Sequence, residues 1–161
     1  MKRILRSVIT AVLVISAVLS TTSCGVLSDL LRRDKEAEFY DTVVESQGLL
    51  DNLADDIYNN WYDAIYNDKF NNDINEAIQA AFDEHEDDLD IIFENDRLIT
   101  DLYKDVRDGR LEDEAESVME AYNEYYTVVV ECSGSFNDYS EVKEPTKKTL
   151  SRALKNYYIA Y

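Results

Sequence analysis

The sequence predicts an all-α protein: an elongated antiparallel bundle of three long helices plus a short C-terminal helix. The 161 residues include one proline and four glycines, so turns are few and the elements between them must be long. Apolar residues recur with a helical period through most of residues 36–161, which is the pattern of amphipathic helices. Because the links between these segments are short, successive helices are expected to run antiparallel.

The first predicted helix covers residues 36–68 and carries two neighbouring apolar stripes. The main stripe is expected to face the core and consists of Phe39, Val43, Leu50, Leu53, Ala54, Ile57, Trp61, Ala64 and Ile65. The second stripe consists of Tyr40, Val44, Tyr58, Tyr62 and Tyr66. Together the stripes cover more than half of the circumference, so this helix is expected to touch several neighbours, or one neighbour and a partner.

The second predicted helix follows a turn-like stretch, "NDKFNND", at residues 67–73. Residues 74–106 then hold a heptad with no proline or glycine to interrupt it, which predicts one unbroken supercoiled helix. The heptad positions are Ile74, Ile78, Ala81, His85, Asp88, Ile92, Asn95, Ile99, Leu102 and Val106.

The third predicted helix covers residues 112–139, after "RDGRL", in which Gly109 is expected to adopt the left-handed conformation that ends a helix. Its heptad runs through "YYTVVVEC" at 125–132, although β-branched and aromatic residues there favour a strand by propensity. Pro145 is expected at the first position of the last, short helix. The apolar face of that helix consists of Leu150, Ala153, Leu154, Tyr157 and Tyr161.

The N-terminal residues have the layout of an export signal. "MKRILRS" supplies three basic residues, and "VITAVLVISAVLS" follows without an acidic, basic or amide side chain. This apolar run is shorter than the ~20 residues that a membrane-spanning helix needs, so removal after export is expected.

Residues 20–24, "STTSC", resemble the lipobox of bacterial lipoprotein signal sequences, with the small residue Ser23 before Cys24 and Thr21 where a large aliphatic residue is commonest. The resemblance implies cleavage of a signal peptide at 1–23 and lipidation of Cys24. Residues 24–35 would then be a short lipid-anchored tether, and the bundle domain of residues 36–161 would lie at the extracytoplasmic face of the cell membrane. The alternative is ordinary signal cleavage near Ser23 that leaves Cys24 unmodified.

The charge of the chain excludes some partners. Its formal net charge is −18, and cleavage before Cys24 would remove basic residues only. Such a charge argues against binding nucleic acid or anionic lipid surfaces, and it favours a cationic partner or loosely held divalent ions. If Cys24 carries lipid, Cys132 has no cysteine partner, so stability must come from a packed core.

The run "FDEHEDDLD" at residues 82–90 holds the only histidine. A di-iron bundle needs a Glu-x-x-His pair on each of two helices, and Phe82 lies three residues before His85, so we expect no metal and no cofactor. His85, Asp88 and Asn95 occupy core positions, where a hydrogen-bonded polar layer fixes register at a cost in stability. A pH-sensitive layer is the alternative, since histidine titrates near neutral pH.

Two stretches resemble known site motifs but lack the residues that those motifs need. The stretch "KDVRDGRLEDEA" lacks the carboxylates of a calcium loop, because Lys104, Val106 and Ala115 stand at ligand positions. "CSGSF" does not have the spacing of a nucleophile elbow, and Cys132 lies on an apolar stripe as a small hydrophobe would. We therefore expect no catalytic residues and no enzyme activity.

Twelve tyrosines are the most unusual part of the composition. They can widen the core, or Tyr58, Tyr62 and Tyr66 can form an exposed face for a protein or cell-wall ligand. The expected role is a cell-envelope lipoprotein that binds or supports other components without catalysis. The alternative is an immunity or inhibitor protein that neutralises a basic toxin or phage component through its acidic surface.

Overall fold

The all-α prediction is confirmed by a computed structural model, which describes the chain from residue 2 and its side chains over residues 31–161. The helices are α1 (Lys2–Tyr66), α2 (Ile74–Glu84), α3 (Glu86–Val106), α4 (Glu112–Val130) and α5 (Phe136–Ala160), and a short 3₁₀ turn spans Phe70–Asn72. No strand occurs in the described chain. The predicted signal segment and Cys24 lie outside the residues with described side chains.

Contacts along the helices show an up-down-up-down arrangement in which α1 touches every other described helix. The α2–α3 arm runs back along α1, α4 runs parallel to α1, and α5 runs antiparallel to it. The pairs that fix these directions are His85–Asp56 and Asn95–Glu45 for α3, Ser46–Tyr122 and Asp51–Tyr125 for α4, and Ala54–Tyr139 and Glu36–Tyr157 for α5. The antiparallel bundle therefore has four helical segments, namely α1, α2 with α3, α4 and α5, and α1 contacts all the others.

The predicted unbroken helix over residues 74–106 is wrong at one point. His85 leaves the helical conformation, with φ −105° and ψ 25°, and separates α2 from α3. The acidic residues that follow it, Glu86, Asp87 and Asp88, form the first turn of α3. A helix N-terminus stabilises negative charge, so a new start at Glu86 accommodates these acids better than the middle of a continuous helix would.

The boundary between the last two helices also differs from the prediction. The helix predicted over 112–139 ends at Val130, and α5 begins at Phe136. Gly134 has a left-handed φ of 95°, and Ser135 and Asp138 form a reciprocal capping box that starts α5. Pro145 therefore lies inside a 25-residue helix and not at the start of a short one.

The predicted Gly109 conformation needs correction too. Residues 31–35 already belong to α1, in which Arg32 donates a hydrogen bond to the Asp108 carbonyl (3.2 Å). Gly109 does not have a left-handed φ, but an added Cβ would lie 2.9 Å from the Val106 carbonyl oxygen. A close backbone approach is therefore what requires glycine there. Within residues 31–161, no helix combines the length and apolarity needed to cross a membrane.

Most of the main apolar stripe of α1 is buried, and the exception is Ile65, which is 40% exposed. Four fully or almost fully buried tyrosines surround this stripe, and each donates to or shares a hydrogen bond with α1. Their partners are Ser46 for Tyr122, Asp51 for Tyr125, the Ala54 carbonyl for Tyr139 and the Glu36 carbonyl for Tyr157. Because buried hydroxyls need partners, these bonds help fix the register of α4 and α5 on α1.

Candidate functional site

The three tyrosines predicted to form a partner-binding face do lie side by side at the end of α1. The ring centroids are 6.4 Å apart between Tyr58 and Tyr62, and 4.7 Å apart between Tyr62 and Tyr66. Tyr58 is half-buried, whereas Tyr62 and Tyr66 are 42% and 58% exposed. This surface is therefore available to a ligand, unlike the tyrosines of the core.

Phe136 completes the aromatic cluster from the first turn of α5. Its ring centroid is 5.1 Å from that of Tyr58, 6.2 Å from those of Tyr62 and Tyr66, and 5.9 Å from that of Trp61. Sequence reasoning missed this role because the third predicted helix, residues 112–139, ran through position 136 without a break. The available signal was the capping box just before it, which marks a helix start.

Lys143 of α5 supports the inner end of this cluster. Its ammonium group lies 4.9 Å from the centroid of the Tyr58 ring and 2.6 Å from Asp55 Oδ1. Lys143 is buried, so the carboxylate of Asp55 and the face of Tyr58 replace the water that its charge has lost. The contact ties the position of Tyr58 to the docking of α5.

A groove of about 580 Å³ opens beside the tyrosines, where the ends of α1, α2 and α5 meet. It is lined by Trp61, Ile65, Tyr66, Ile74, Asn75, Gly134, Ser135, Phe136 and Asn137. Trp61 is 3% exposed, and its indole N–H has no hydrogen-bond partner among the described residues. The groove combines aromatic walls with a few polar groups, as the lining of small-ligand sites does.

The loop that connects α1 to α2 beside the groove, residues 67–73, has a constrained backbone. Asp68, Phe70, Asn71 and Asn72 all have positive φ values between 51° and 62°, which non-glycine residues adopt at an energetic cost. Hydrogen bonds from Lys69 and Asn67 hold the carboxylate of Asp63 and lower its pKa. The loop therefore has a defined shape that holds the start of α2 against the end of α1.

The predicted polar layer forms around His85 but includes a residue that the sequence did not indicate. His85 Nδ1 lies 2.9 Å from Asp88 Oδ2, and His85 Nε2 lies 2.8 Å from Asp56 Oδ2 on α1. A neutral imidazole has one N–H donor, so both bonds form only when the ring is protonated. The two carboxylates face opposite sides of the ring and do not converge on one point as metal ligands would.

Asn95 is separate from this pair. Asn95 is buried, at 8% exposure, and donates a hydrogen bond to Glu45 of α1 at 3.4 Å. It lies further along α3 than His85, which precedes that helix. Asp88 is itself about one-third exposed, so His85 and Asp88 lie at the edge of the core. The three predicted residues thus make two separate contacts with α1 and not one continuous layer.

Burial, the largest single influence on His85, lowers its pKa, but the hydrogen bonds that the carboxylates of Asp56 and Asp88 accept from the ring, together with their negative charges, raise it above the ordinary value. Cys132 is half-buried, and burial raises the pKa of its thiol to about 11, so it stays protonated and weakly reactive.

We expect the His85 contacts to stabilise the fold only at lower pH. Because the folded pKa is raised, this contribution is complete below the unfolded value near 6.5 and is lost as the pH rises through the folded pKa. Replacing His85 with Gln should therefore reduce the free energy of unfolding by ~1 kcal/mol at pH 6 and by less at pH 9. Urea denaturation of both proteins at the two pH values measures the difference.

The matched variant Asp88→Ala should show the same pH dependence, since it removes one of the two acceptors. Addition of a chelator should leave the melting temperature of the parent unchanged. An equal cost of His85→Gln at both pH values would contradict the protonated bridge, and a melting temperature that falls on chelation would indicate a bound metal.

Comparison with known proteins leaves the site to be interpreted from its own chemistry. No family model, no curated protein and no solved structure matches the chain.

Proposed function

We propose that this chain is a cell-envelope lipoprotein that binds a protein or cell-wall ligand and has no catalytic role. The observation that supports binding is the aromatic cluster of Tyr58, Tyr62, Tyr66 and Phe136 beside the groove, in which Tyr62 and Tyr66 are exposed. Four other tyrosines of the described residues are buried and hydrogen-bonded, whereas Tyr158 and Tyr161 are exposed near the opposite end of the bundle. The cluster differs from those two in that Tyr66 and Phe136 also line the groove. Contiguous exposed aromatic surface is typical of interaction sites.

The location is proposed from the N-terminal residues. The basic and apolar signal segment and the lipobox-like "STTSC" favour lipid attachment at Cys24 and display at the extracytoplasmic face of the membrane. The aromatic cluster lies at the end of α1, at Tyr58 to Tyr66, whereas the proposed anchor, Cys24, precedes Leu31, the first residue with a described side chain. A rise of 1.5 Å per residue places more than 40 Å of helix between Leu31 and Tyr66, so the cluster would face away from the membrane.

Photo-crosslinking in intact cells tests this role. A photoactivatable amino acid at position 62 should form an adduct with an envelope component, because this position lies on the exposed cluster. Position 158, a tyrosine near the other end of the bundle that is 65% exposed against 42% for Tyr62, is the control and should form no such adduct. The same yield from both positions, or none from position 62, would contradict a binding role for the cluster.

The net charge of −18 favours a second candidate function, which is neutralisation of a basic toxin or phage component. This role predicts an adduct with a basic protein whose yield falls steeply as salt increases, because the attraction of opposite charges would drive association. An adduct that is insensitive to salt favours a cell-envelope ligand.

A further inference from the structure

We propose that the groove binds a short, uncharged oligosaccharide of the cell envelope, with the sugar rings against Tyr66 and Phe136. The proposal rests on the binding role proposed above and names the class of ligand. A pyranose ring has an apolar C–H face and a rim of hydroxyl groups. It therefore needs a surface that combines aromatic rings with neutral hydrogen-bonding groups.

The lining of the groove has this combination. Trp61, Tyr66 and Phe136 supply aromatic surface, and the amides of Asn75 and Asn137 with the hydroxyl of Ser135 supply neutral donors and acceptors. Charged residues make up 31% of the chain, yet no charged side chain lines the groove. An ionic ligand would meet no opposite charge among these side chains, whereas a neutral ligand needs none.

Three acidic residues lie close in sequence to the residues that line the groove, and each accepts hydrogen bonds from within the protein. Asp63 accepts hydrogen bonds from Lys69 and Asn67, Asp73 caps the start of α2, and Asp138 is part of the capping box of α5. A basic protein segment would have to compete with these bonds for the carboxylates. This arrangement favours a neutral ligand over a cationic one at this site.

The indole of Trp61 adds one unpaired polar group at the wall of the groove. Trp61 lines the groove, and its N–H is buried with no acceptor among the described residues. A buried donor without a partner is destabilising, and native structures rarely keep one without a reason. Because this nitrogen has almost no accessible surface, a sugar hydroxyl or an acetamido carbonyl could accept from it only if the indole ring moves when the ligand binds.

Fluorescence of Trp61 gives a direct test, because it is the only tryptophan in the chain. The full-length protein would be solubilised in a detergent that has no sugar headgroup and titrated with chitotetraose, an uncharged oligosaccharide with acetamido carbonyls. We expect a saturable change in the intensity or wavelength of emission. Tyr66→Ala should weaken the apparent affinity about tenfold through loss of ring contact, and Asn137→Ala should weaken it through loss of a hydrogen bond.

Tyr158→Ala is the matched control, since Tyr158 is 65% exposed and lies near the opposite end of the bundle. It should bind like the parent, and circular dichroism should show the parent's helix content in all three variants. No saturable response of the parent would overturn the proposal. Equal affinity of the parent, Tyr66→Ala and Asn137→Ala would also overturn it, as would a response to a lysine-rich peptide with none to the sugar.

Crosslinking from position 62 keeps this result separate from the proposed function. An adduct at that position together with no response to the sugar would reject the oligosaccharide and leave the binding role standing. Loss of both results would reject the binding role as well.

Discussion

Replacing Arg110 with Ala is expected to lower the free energy of unfolding by about 3 kcal/mol, the largest loss of stability that we expect from a single change of a charged residue. Arg110 Nε and Nη2 lie 3.3 and 3.2 Å from Oε2 of Glu36, which is 1% exposed. Arg110 Nη2 also donates to the Tyr161 carbonyl at 2.9 Å. Its loss would leave the Glu36 carboxylate buried without a positive partner.

The expected cost lies at the lower end of the range for buried ion pairs, because the Arg110 side chain is 45% exposed and water screens part of the attraction. Urea denaturation followed by circular dichroism measures it. The double variant Glu36→Leu/Arg110→Met should regain most of the loss, since no buried charge then remains without a partner.

Lys104→Ala provides the matched control. Lys104 and Asp101 form an ion pair of similar charge, but their side chains are 58% and 74% exposed. Loss of such a surface pair is expected to cost less than about 0.5 kcal/mol. If Arg110→Ala and Lys104→Ala lower the free energy of unfolding by similar amounts, the contact between Arg110 and Glu36 does not stabilise the fold as proposed.

Replacing Cys24 with Ala should move the protein out of the membrane fraction almost completely. Without the thiol there is no attachment point for lipid, and lipoprotein-type cleavage before residue 24 would not occur. Within residues 31–161 no helix is suited to crossing the membrane, so those residues supply no spanning segment to replace the anchor. Fractionation of cells that express the variant, followed by gel mobility, measures both the location and the expected longer precursor.

Ser23→Ala is the control for this experiment, because alanine is also a small residue at the position before the cysteine. It should fractionate and migrate like the parent. If Cys24→Ala instead remains in the membrane fraction with unchanged mobility, attachment through Cys24 is wrong.

The helical class and most core positions could be predicted from the sequence because they depend on local periodicity. The main stripe of α1 and the heptad positions Ile92, Ile99 and Leu102 are buried as the spacing indicates. The helical period also continues through the first part of "YYTVVVEC", although β propensity favours a strand there. Periodicity fails at helix ends, where a few specific contacts decide the structure.

His85 illustrates this limit. The heptad continues through it without a change in pattern, yet the acidic residues that follow it start a new helix. Asp56, which completes the bridge, is 29 residues away on α1, and nothing in its own neighbourhood marks it as a partner. Such pairing depends on how α3 docks on α1, which periodicity does not determine.

The aromatic site was predictable only in part for the same reason. Tyr58, Tyr62 and Tyr66 are each four residues apart, and this spacing places them on one face of a helix. The contribution of Phe136 depends on the loop at residues 131–135, which interrupts the helix and brings the start of α5 to the end of α1. The signals for that break, Gly134 and the Ser135–Asp138 box, were present but were outweighed by the heptad.

The intact mass of the protein extracted from the membranes of a bacterium that expresses it tests the envelope assignment most directly. We expect a chain that begins at Cys24 and carries a diacylglyceryl group on its sulfur, with a further acyl group on the new N-terminus where the host adds one. A fragment spectrum should place the whole added mass on Cys24. A chain that retains Met1, or one in which Cys24 is unmodified or absent, would contradict the assignment.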